Sequence, residues 1–321
     1  MSFNIELMEW LSEARQPALT LFMQFCTSIG DVQGYVLVFS VLFMAFDKAL
    51  ALRFGVVALL AMSINHLLKE LIQNPRPFVE GGTFLERWAV STDQAHLLSL
   101  EFSTPSGHAM AAAAAFGYLA ARLGMPYALP MIALIAIIGA SRAYLGVHYV
   151  EDVMLGWALG AVLALMALRY GDVVMSRIGD LRLATRESLA FAFSAFVWGV
   201  TAMLSNWDLA SMPRAFVGEL GFLTGIIIAW PWEKRANDMD PKSGALAAKA
   251  SRIVIAVVLV AGTLLAFGVL FDLIASYNTL FGQGLRYVRY AMAAIVGVLV
   301  APLISIRFGL ARAAEACKPA V

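Results

Sequence analysis

Long apolar runs separated by short polar connections set the pattern of this chain. Nine runs predict helices at about 32–46, 49–73, 106–124, 126–145, 151–170, 187–205, 212–232, 251–276 and 286–307. Most reach the roughly 20 residues that a bilayer-crossing helix needs. The first is short and can be extended back to Leu19 through LTLFMQFCTSIGDVQGY. Pro75 and Pro77 stop the second run and Pro126 opens the fourth, because proline ends a helix but suits its first turn. One long polar connection, 74–105, carries Arg76, Glu80, Glu86, Arg87, Asp93, His96 and Glu101; a loop of that length is usually functional. Residues 1–30, with Trp10 among alternating charges, suit an amphipathic segment on a membrane surface. Residues 31–186, completed by the span at 187–205, form one bundle, and 206–321 add further helices. The fold class is therefore all-α: a polytopic membrane bundle of about nine transmembrane helices.

Composition sharpens the picture. The chain is 61% hydrophobic and 14% charged, where a soluble domain carries roughly 25% charged residues. A formal net charge of +1 excludes a nucleic-acid-binding reading. Cys26 and Cys317 lie far apart, so neither a disulfide nor a cysteine metal site is expected. The acidic start MSFNIELMEW lacks a basic n-region before an apolar stretch, which argues against a cleaved signal peptide. With nine spans and the N-terminus outside, most of the 23 Lys and Arg fall on the inside, as the positive-inside rule requires. Outside means the periplasm for a bacterial inner membrane, or the lumen of an organelle.

Three polar clusters interrupt the apolar spans near their outer ends: 69-KELIQNPRP-77, 105-PSGH-108 and 141-SRAYLGVHYVED-152. Ionisable groups at membrane depth are costly, so a functional role is the default reading. Lys69, Arg76 and Arg142 bring three cations to these clusters, and arginines can bind a phosphate dianion bidentately. Pro105 fits the first turn of a helix whose N–H groups at Ser106, Gly107 and His108 face an anion. Gly107 permits close approach, and the Ser106 hydroxyl adds a donor. His148 and Asp152, four apart, share one face of a helix; the carboxylate can hold one imidazole nitrogen and leave the other to attack phosphorus. His108 can protonate the leaving oxygen.

The order and spacing K-x6-R-P, P-S-G-H and S-R-x5-H-x3-D resemble the type 2 phosphatidic acid phosphatase superfamily over about residues 30–170. The resemblance implies a six-helix-type phosphatase core and metal-independent chemistry without a cofactor. It implies His148 as nucleophile, His108 as general acid and Asp152 as its partner's orienter. Phosphate binding falls to Lys69, Arg76, Ser106, Gly107 and Arg142. A phosphorylated lipid such as phosphatidate, phosphatidylglycerophosphate or a polyprenyl diphosphate is the expected substrate, with the bilayer as its source. The nine-span layout is also similar to the glucose-6-phosphatase branch, which keeps a sugar-phosphate substrate open. Transfer of the phosphoryl group to a lipid or sugar hydroxyl, and a transporter with an inactive phosphate site, are the remaining alternatives. Nothing in the chain specifies an oligomeric state.

Other polar residues have plainer readings. His66 shares a helix face with Lys69 and suits packing. His96 suits an exposed loop. Glu80, Glu86, Asp93 and Glu101 lack metal-ligand spacing and read as a solvated acidic loop. Gly218, Gly221 and Gly225 suggest a close helix crossing. Phe191, Phe193 and Phe196 suit a lipid-facing or packing surface, and Asp272 suits a capped helix break or a hydrogen bond to a neighbouring helix.

Overall fold

The computed structural model describes residues 5–81, 90–210 and 212–314. Glu86, Arg87, Cys317 and Lys318 lie outside the described residues, as do the side chains of Glu80 and Asp93. Fourteen α-helices follow in chain order: α1 (Ile5–Glu13), α2 (Pro17–Ile29), α3 (Val32–Ala45), α4 (Lys48–Ile72), α5 (Pro77–Gly81), α6 (Thr92–Ser99), α7 (Gly107–Leu123), α8 (Met125–Tyr144), α9 (Val150–Asp180), α10 (Leu183–Leu204), α11 (Arg214–Ala236), α12 (Leu246–Ile274), α13 (Leu280–Ile295) and α14 (Ala301–Arg307). A π-helical turn at Val296–Val300 joins the last two.

All nine predicted runs are helical, but seven helical segments are long and apolar enough to cross a membrane, and eight if α2 and α3 form one broken span. The difference from nine has two causes. The first run is split: α2 and α3 meet at 58° across Gly30 and Asp31. α7 has only 17 residues, with Ala109 to Phe116 buried within the protein. The 74–105 connection is not structureless, since it carries α5 and α6, and His96 is exposed on α6 instead of in a loop.

One compact unit comprises Met1–Tyr35, Phe54–Arg177 and Phe196–Phe216. Its centre is α7, whose run of alanines lets neighbouring backbones come close. A Cβ on Gly156 of α9 would lie 2.7 Å from the Ser106 carbonyl oxygen, and one on Gly160 would lie 2.3 Å from that of Met110. Two glycines four apart facing small residues form the small-xxx-small crossing common between membrane helices. Tyr35, Phe54 and Phe116 pack ring on ring around α7, with centroids 5.7–6.0 Å apart. Such pairs contribute about 0.5–1.5 kcal/mol each beyond their buried area. Asn65 of α4 donates to the Pro105 carbonyl at 3.0 Å and fixes the entrance to α7. The N-terminal helix docks by Met8 against Phe78 and Tyr149, and Arg15 Nε donates to the Tyr144 carbonyl.

The other unit comprises Val36–Arg53, Ile178–Ala195 and Val217–Val321. Here Gly218, Gly221 and Gly225 do make the close crossing: an added Cβ would meet the Tyr290 ring and the carbonyl oxygens of Tyr287 and Ala291 at 2.4–2.8 Å. Lys48 Nζ pairs with the buried Glu233 at 3.1 Å and with Asp238 at 3.0 Å. Arg252 is buried and donates to the carbonyls of Asp240, Pro241 and Ser243, closing the turn before α12. Phe191 and Phe193 are exposed, as is Phe196 of the first unit. Asp272 is exposed near the end of α12 rather than at a break within it.

Candidate active site

Every residue of the three sequence clusters singled out above lies in the first unit, carried by four helices and two connections. Lys69 closes α4, Arg76 precedes α5, Ser106 caps α7, Gly107 and His108 begin it, and Arg142 ends α8. His148 occupies the turn between α8 and α9, and Asp152 sits in the first turn of α9. His148 and Asp152 therefore do not share a helix face as their spacing suggested. The turn folds the imidazole back instead, and Asp152 Oδ2 accepts the Tyr149 N–H at 2.9 Å, an N-terminal capping bond.

The His148 ring is held at both nitrogens. Nε2 lies 3.2 Å from Arg76 Nη1, and Nδ1 lies 3.3 Å from Ser103 Oγ and 3.5 Å from Asp152 Oδ2. A guanidinium only donates, so Nε2 accepts and the ring proton resides on Nδ1. Ser103 Oγ donates to Asp152 Oδ2 at 2.5 Å, which leaves its lone pair for the Nδ1–H. Thr104 Oγ1 donates to the other carboxylate oxygen. Burial holds the His148 imidazole well below the usual histidine range, and the charges of Arg76, Arg142, Lys69 and His108 act the same way. The ring is thus neutral at physiological pH, with its reactive lone pair on the Arg76 side.

Around that lone pair lies a set of donors. Arg76 is anchored by Nε to the Glu101 carbonyl and by Nη1 to the Val147 carbonyl, both at 3.0 Å. Arg142 Nη1 donates to Thr27 Oγ1 at 2.6 Å, while its buried Nε has no partner among the described residues. Ser106 Oγ is likewise buried and unpartnered. A buried polar atom left unpaired costs about 1–3 kcal/mol, so both atoms are candidate donors to a phosphate oxygen. At the start of α7 the N–H groups of Gly107 and His108 have no intrahelical acceptor. The Ser106 N–H is not available as expected, because it donates to the Asp152 carbonyl at 3.0 Å. Pro105 precedes the N-cap instead of entering the first turn. Gly107 is required by space: a Cβ there would stand 2.8 Å from Asn65 Oδ1.

Several residues that sequence reasoning passed over complete the site. Glu101 is not a solvated loop acid. Its Oε2 lies 3.1 Å from Lys69 Nζ and 3.5 Å from Arg76 Nη2. Burial alone would push this carboxyl up, but Lys69, His66 and Arg76 together hold it far below the carboxylate range. Asp31 Oδ1 is 2.8 Å from His108 Nε2. Ser103 and Thr104 stand beside the P-S-G-H stretch, and their hydroxyl side chains were the available signal. For Asp31 the signal was a carboxylate interrupting an apolar run. His66 packs edge-on against Phe216, with centroids 5.5 Å apart.

Comparison with known proteins assigns two stretches of the chain to family models. Residues 50–175 match the model of the PAP2 superfamily, an interval that contains all eight residues proposed from the motifs. Residues 217–313 match a second model, PAP2 superfamily phosphatase, transmembrane extension, which accounts for the additional C-terminal helices. Phosphatidylglycerophosphatase B of Bacillus subtilis (strain 168) is 33% identical over 122 residues, which is 35% of this chain and 53% of that protein. The chain thus spans about half the length of the curated relative it matches. Among solved structures, Aquifex aeolicus LpxE is similar at 22% identity and a TM-score of 0.42, over 53% of this chain and 97% of that one. The first transmembrane PAP2-type phosphatidylglycerolphosphate phosphatase from Bacillus subtilis is similar at 26% identity and a TM-score of 0.40, over 54% and 89%. With both parts of its length matched in order, this multi-pass membrane protein belongs to the PAP2 superfamily, the type 2 phosphatidic acid phosphatase superfamily.

Proposed function

We propose that the protein is an integral-membrane phosphatase that removes the terminal phosphoryl group from a phosphorylated lipid through a phosphohistidine. The carrying observation is a neutral imidazole lone pair, His148 Nε2, set 3.2 Å from Arg76, while Arg142 Nε and Ser106 Oγ are buried with no partner among the described residues. Family membership and the name of the curated relative, a phosphatidylglycerophosphatase, support the same class.

In this reading Lys69, Arg76 and Arg142, with the N–H groups of Gly107 and His108 and the Ser106 hydroxyl, hold the phosphate oxygens. They offset the charge that builds on them during in-line displacement. Nε2 of His148 attacks phosphorus, and the bond from phosphorus to the leaving oxygen breaks. His108 gives that oxygen a proton. Asp152 and Ser103 hold Nδ1–H and stabilise the ring as it gains positive charge. Water then attacks the phosphohistidine, His108 takes the water's proton, and the phosphorus–nitrogen bond breaks to release inorganic phosphate. No step requires a metal.

A site at the end of membrane helices lets the acyl or prenyl chain remain in the bilayer while the phosphate enters the pocket. With nine spans the bias of basic residues favours a site on the outer face, which in a bacterial inner membrane is the periplasmic side. Purified full-length protein in detergent should release phosphate from phosphatidylglycerophosphate, phosphatidate or a polyprenyl diphosphate with chelator present, and His148→Ala should abolish it. Faster hydrolysis of glucose 6-phosphate than of every lipid, label transferred to an acceptor hydroxyl, or a fully active His148→Ala would refute this reading.

A further inference from the structure

The break between α2 and α3 delivers residues to the site from a segment outside the three motifs. Thr27 accepts from Arg142 at 2.6 Å, and Asp31 Oδ1 lies 2.8 Å from His108 Nε2. Gly30 lies against the same ring: a Cβ there would meet His108 Cδ2 at 3.0 Å and Ile138 Cγ2 at 2.8 Å. The His108 imidazole is therefore seated on the 30–31 break by its edge and by one nitrogen.

We propose that Asp31 is the positioning residue of the proton-donating histidine: its carboxylate holds the Nε2–H of His108 and leaves Nδ1 as the atom that delivers the proton to the leaving oxygen. The inference rests on the phosphatase reading and deepens it. A carboxylate only accepts, so Nε2 carries a hydrogen. The His108 side chain is 21% exposed and is held at Nε2, so Nδ1 is the nitrogen left for substrate. The electrostatic surroundings make the carboxylate necessary. His108 faces the cations Arg142 from α8 and Lys69 from α4, with His148 beyond them, and Asp31 is the anion that faces it. An imidazolium forming among those cations is unfavourable without an adjacent carboxylate. When His108 gives up its proton, the Nε2–H to Asp31 remains and the neutral ring keeps its orientation. In the second half-reaction the same Nδ1 takes the proton of the attacking water, so one bond serves both directions.

The test compares two substrates with the full-length protein in detergent. One is an alkyl phosphate monoester, whose alkoxide leaves only with a proton. The other is p-nitrophenyl phosphate, whose nitrophenolate leaves without one. The readout is kcat/KM, which reports phosphohistidine formation and excludes the later water step. Asp31→Asn should lower kcat/KM for the alkyl ester by about 10²-fold, the lower range for loss of general acid help. For the aryl ester the change should stay within about threefold, which also demonstrates a folded site. Asp31→Glu should recover part of the alkyl ester rate. Equal losses on both substrates, or no loss on the alkyl ester, would overturn the role of Asp31 while leaving the phosphatase reading intact. A wild-type protein that releases no phosphate from either ester or from the lipids would instead overturn the phosphatase reading itself.

Discussion

Asp152 Oδ2 stands 3.5 Å from Nδ1 of His148, and the Ser103 hydroxyl contacts both, at 2.5 and 3.3 Å. The carboxylate acts on the ring partly through the serine. Removing Ser103 Oγ breaks a charge-assisted bond worth about 1.5–3 kcal/mol where it is buried. Ser103→Ala should therefore lower kcat/KM by at least about tenfold, and Asp152→Asn by more, because the amide can also present N–H to the ring and disfavour the Nδ1–H tautomer. Steady-state phosphate release checks both. A Ser103→Ala rate equal to wild type would mean that Asp152 acts without it.

The pH dependence follows from the ring's surroundings. The nucleophile works only as neutral imidazole. Burial, then the charges of Arg76, Arg142, Lys69 and His108, keep His148 well below the usual range, so it stays neutral to lower pH. The acid limb of kcat/KM should lie below about 6.5, the value of an unperturbed histidine. Arg76→Gln removes the charge closest to Nε2. The limb should then move to higher pH, although burial persists and the overall rate falls with the lost phosphate contact. A limb that stays in place would show that the guanidinium has no hold on this titration.

Glu101 Oε2 pairs with Lys69 and Arg76, two of the cations proposed to bind phosphate. It has two opposed effects: it compensates two buried cations in the empty site, and it competes with phosphate for them. Glu101→Gln keeps the shape and removes the charge. Inorganic phosphate should then inhibit more strongly, with its inhibition constant lowered by about tenfold if the released attraction is near 1.4 kcal/mol. An unchanged or weaker inhibition by phosphate would show that Glu101 does not compete for the anion position.

What the sequence revealed, and what it hid, divides along local and nonlocal lines. The helices were legible because apolar length is a local property, and Pro75, Pro77 and Pro126 mark their limits. Lys69, Arg76, Arg142, His148 and Asp152 were legible because an ionisable group in an apolar run is costly wherever it packs. The geometry joining them was not. The 148–152 spacing suggested a helix face, yet the α9 helix begins only at Val150, so the pairing depends on a turn. Glu101 looked like other acids of a polar loop until the fold brought Lys69 to it from 32 residues away. Asp31 lies 77 residues from His108, a distance no spacing rule spans. The apolar runs predict about nine spans and seven or eight helices pass on length and apolarity, because α2 and α3 form a bent pair and α7 is only 17 residues long.

The crossing of α7 and α9 ties stability to catalysis and separates two glycines of the same stripe. A methyl group at Gly160 would stand 2.3 Å from the Met110 carbonyl oxygen, and at Gly156 2.7 Å from that of Ser106. Alanine is a better helix former than glycine by about 1 kcal/mol. That gain is smaller than the about 1–3 kcal/mol that overpacking costs when the obstacle is backbone and cannot rotate aside. Both Gly160→Ala and Gly156→Ala should therefore lower the thermal midpoint in detergent, Gly160→Ala by more, since its contact is shorter. Activity should rank them in the opposite order. Gly160 meets α7 one turn beyond the site, so the folded fraction of Gly160→Ala should keep its kcat/KM within about threefold of wild type. Gly156 presses on Ser106 itself, whose hydroxyl is one of the two spare donors and whose N–H is bonded to the Asp152 carbonyl. Displacing that residue moves the start of α7 relative to His148, and misplacement of about 1 Å costs on the order of 10²-fold. Gly156→Ala should thus lose more activity than stability. The same rank order in both measurements would mean that α7 yields as a rigid rod and that its first turn is not held by this contact.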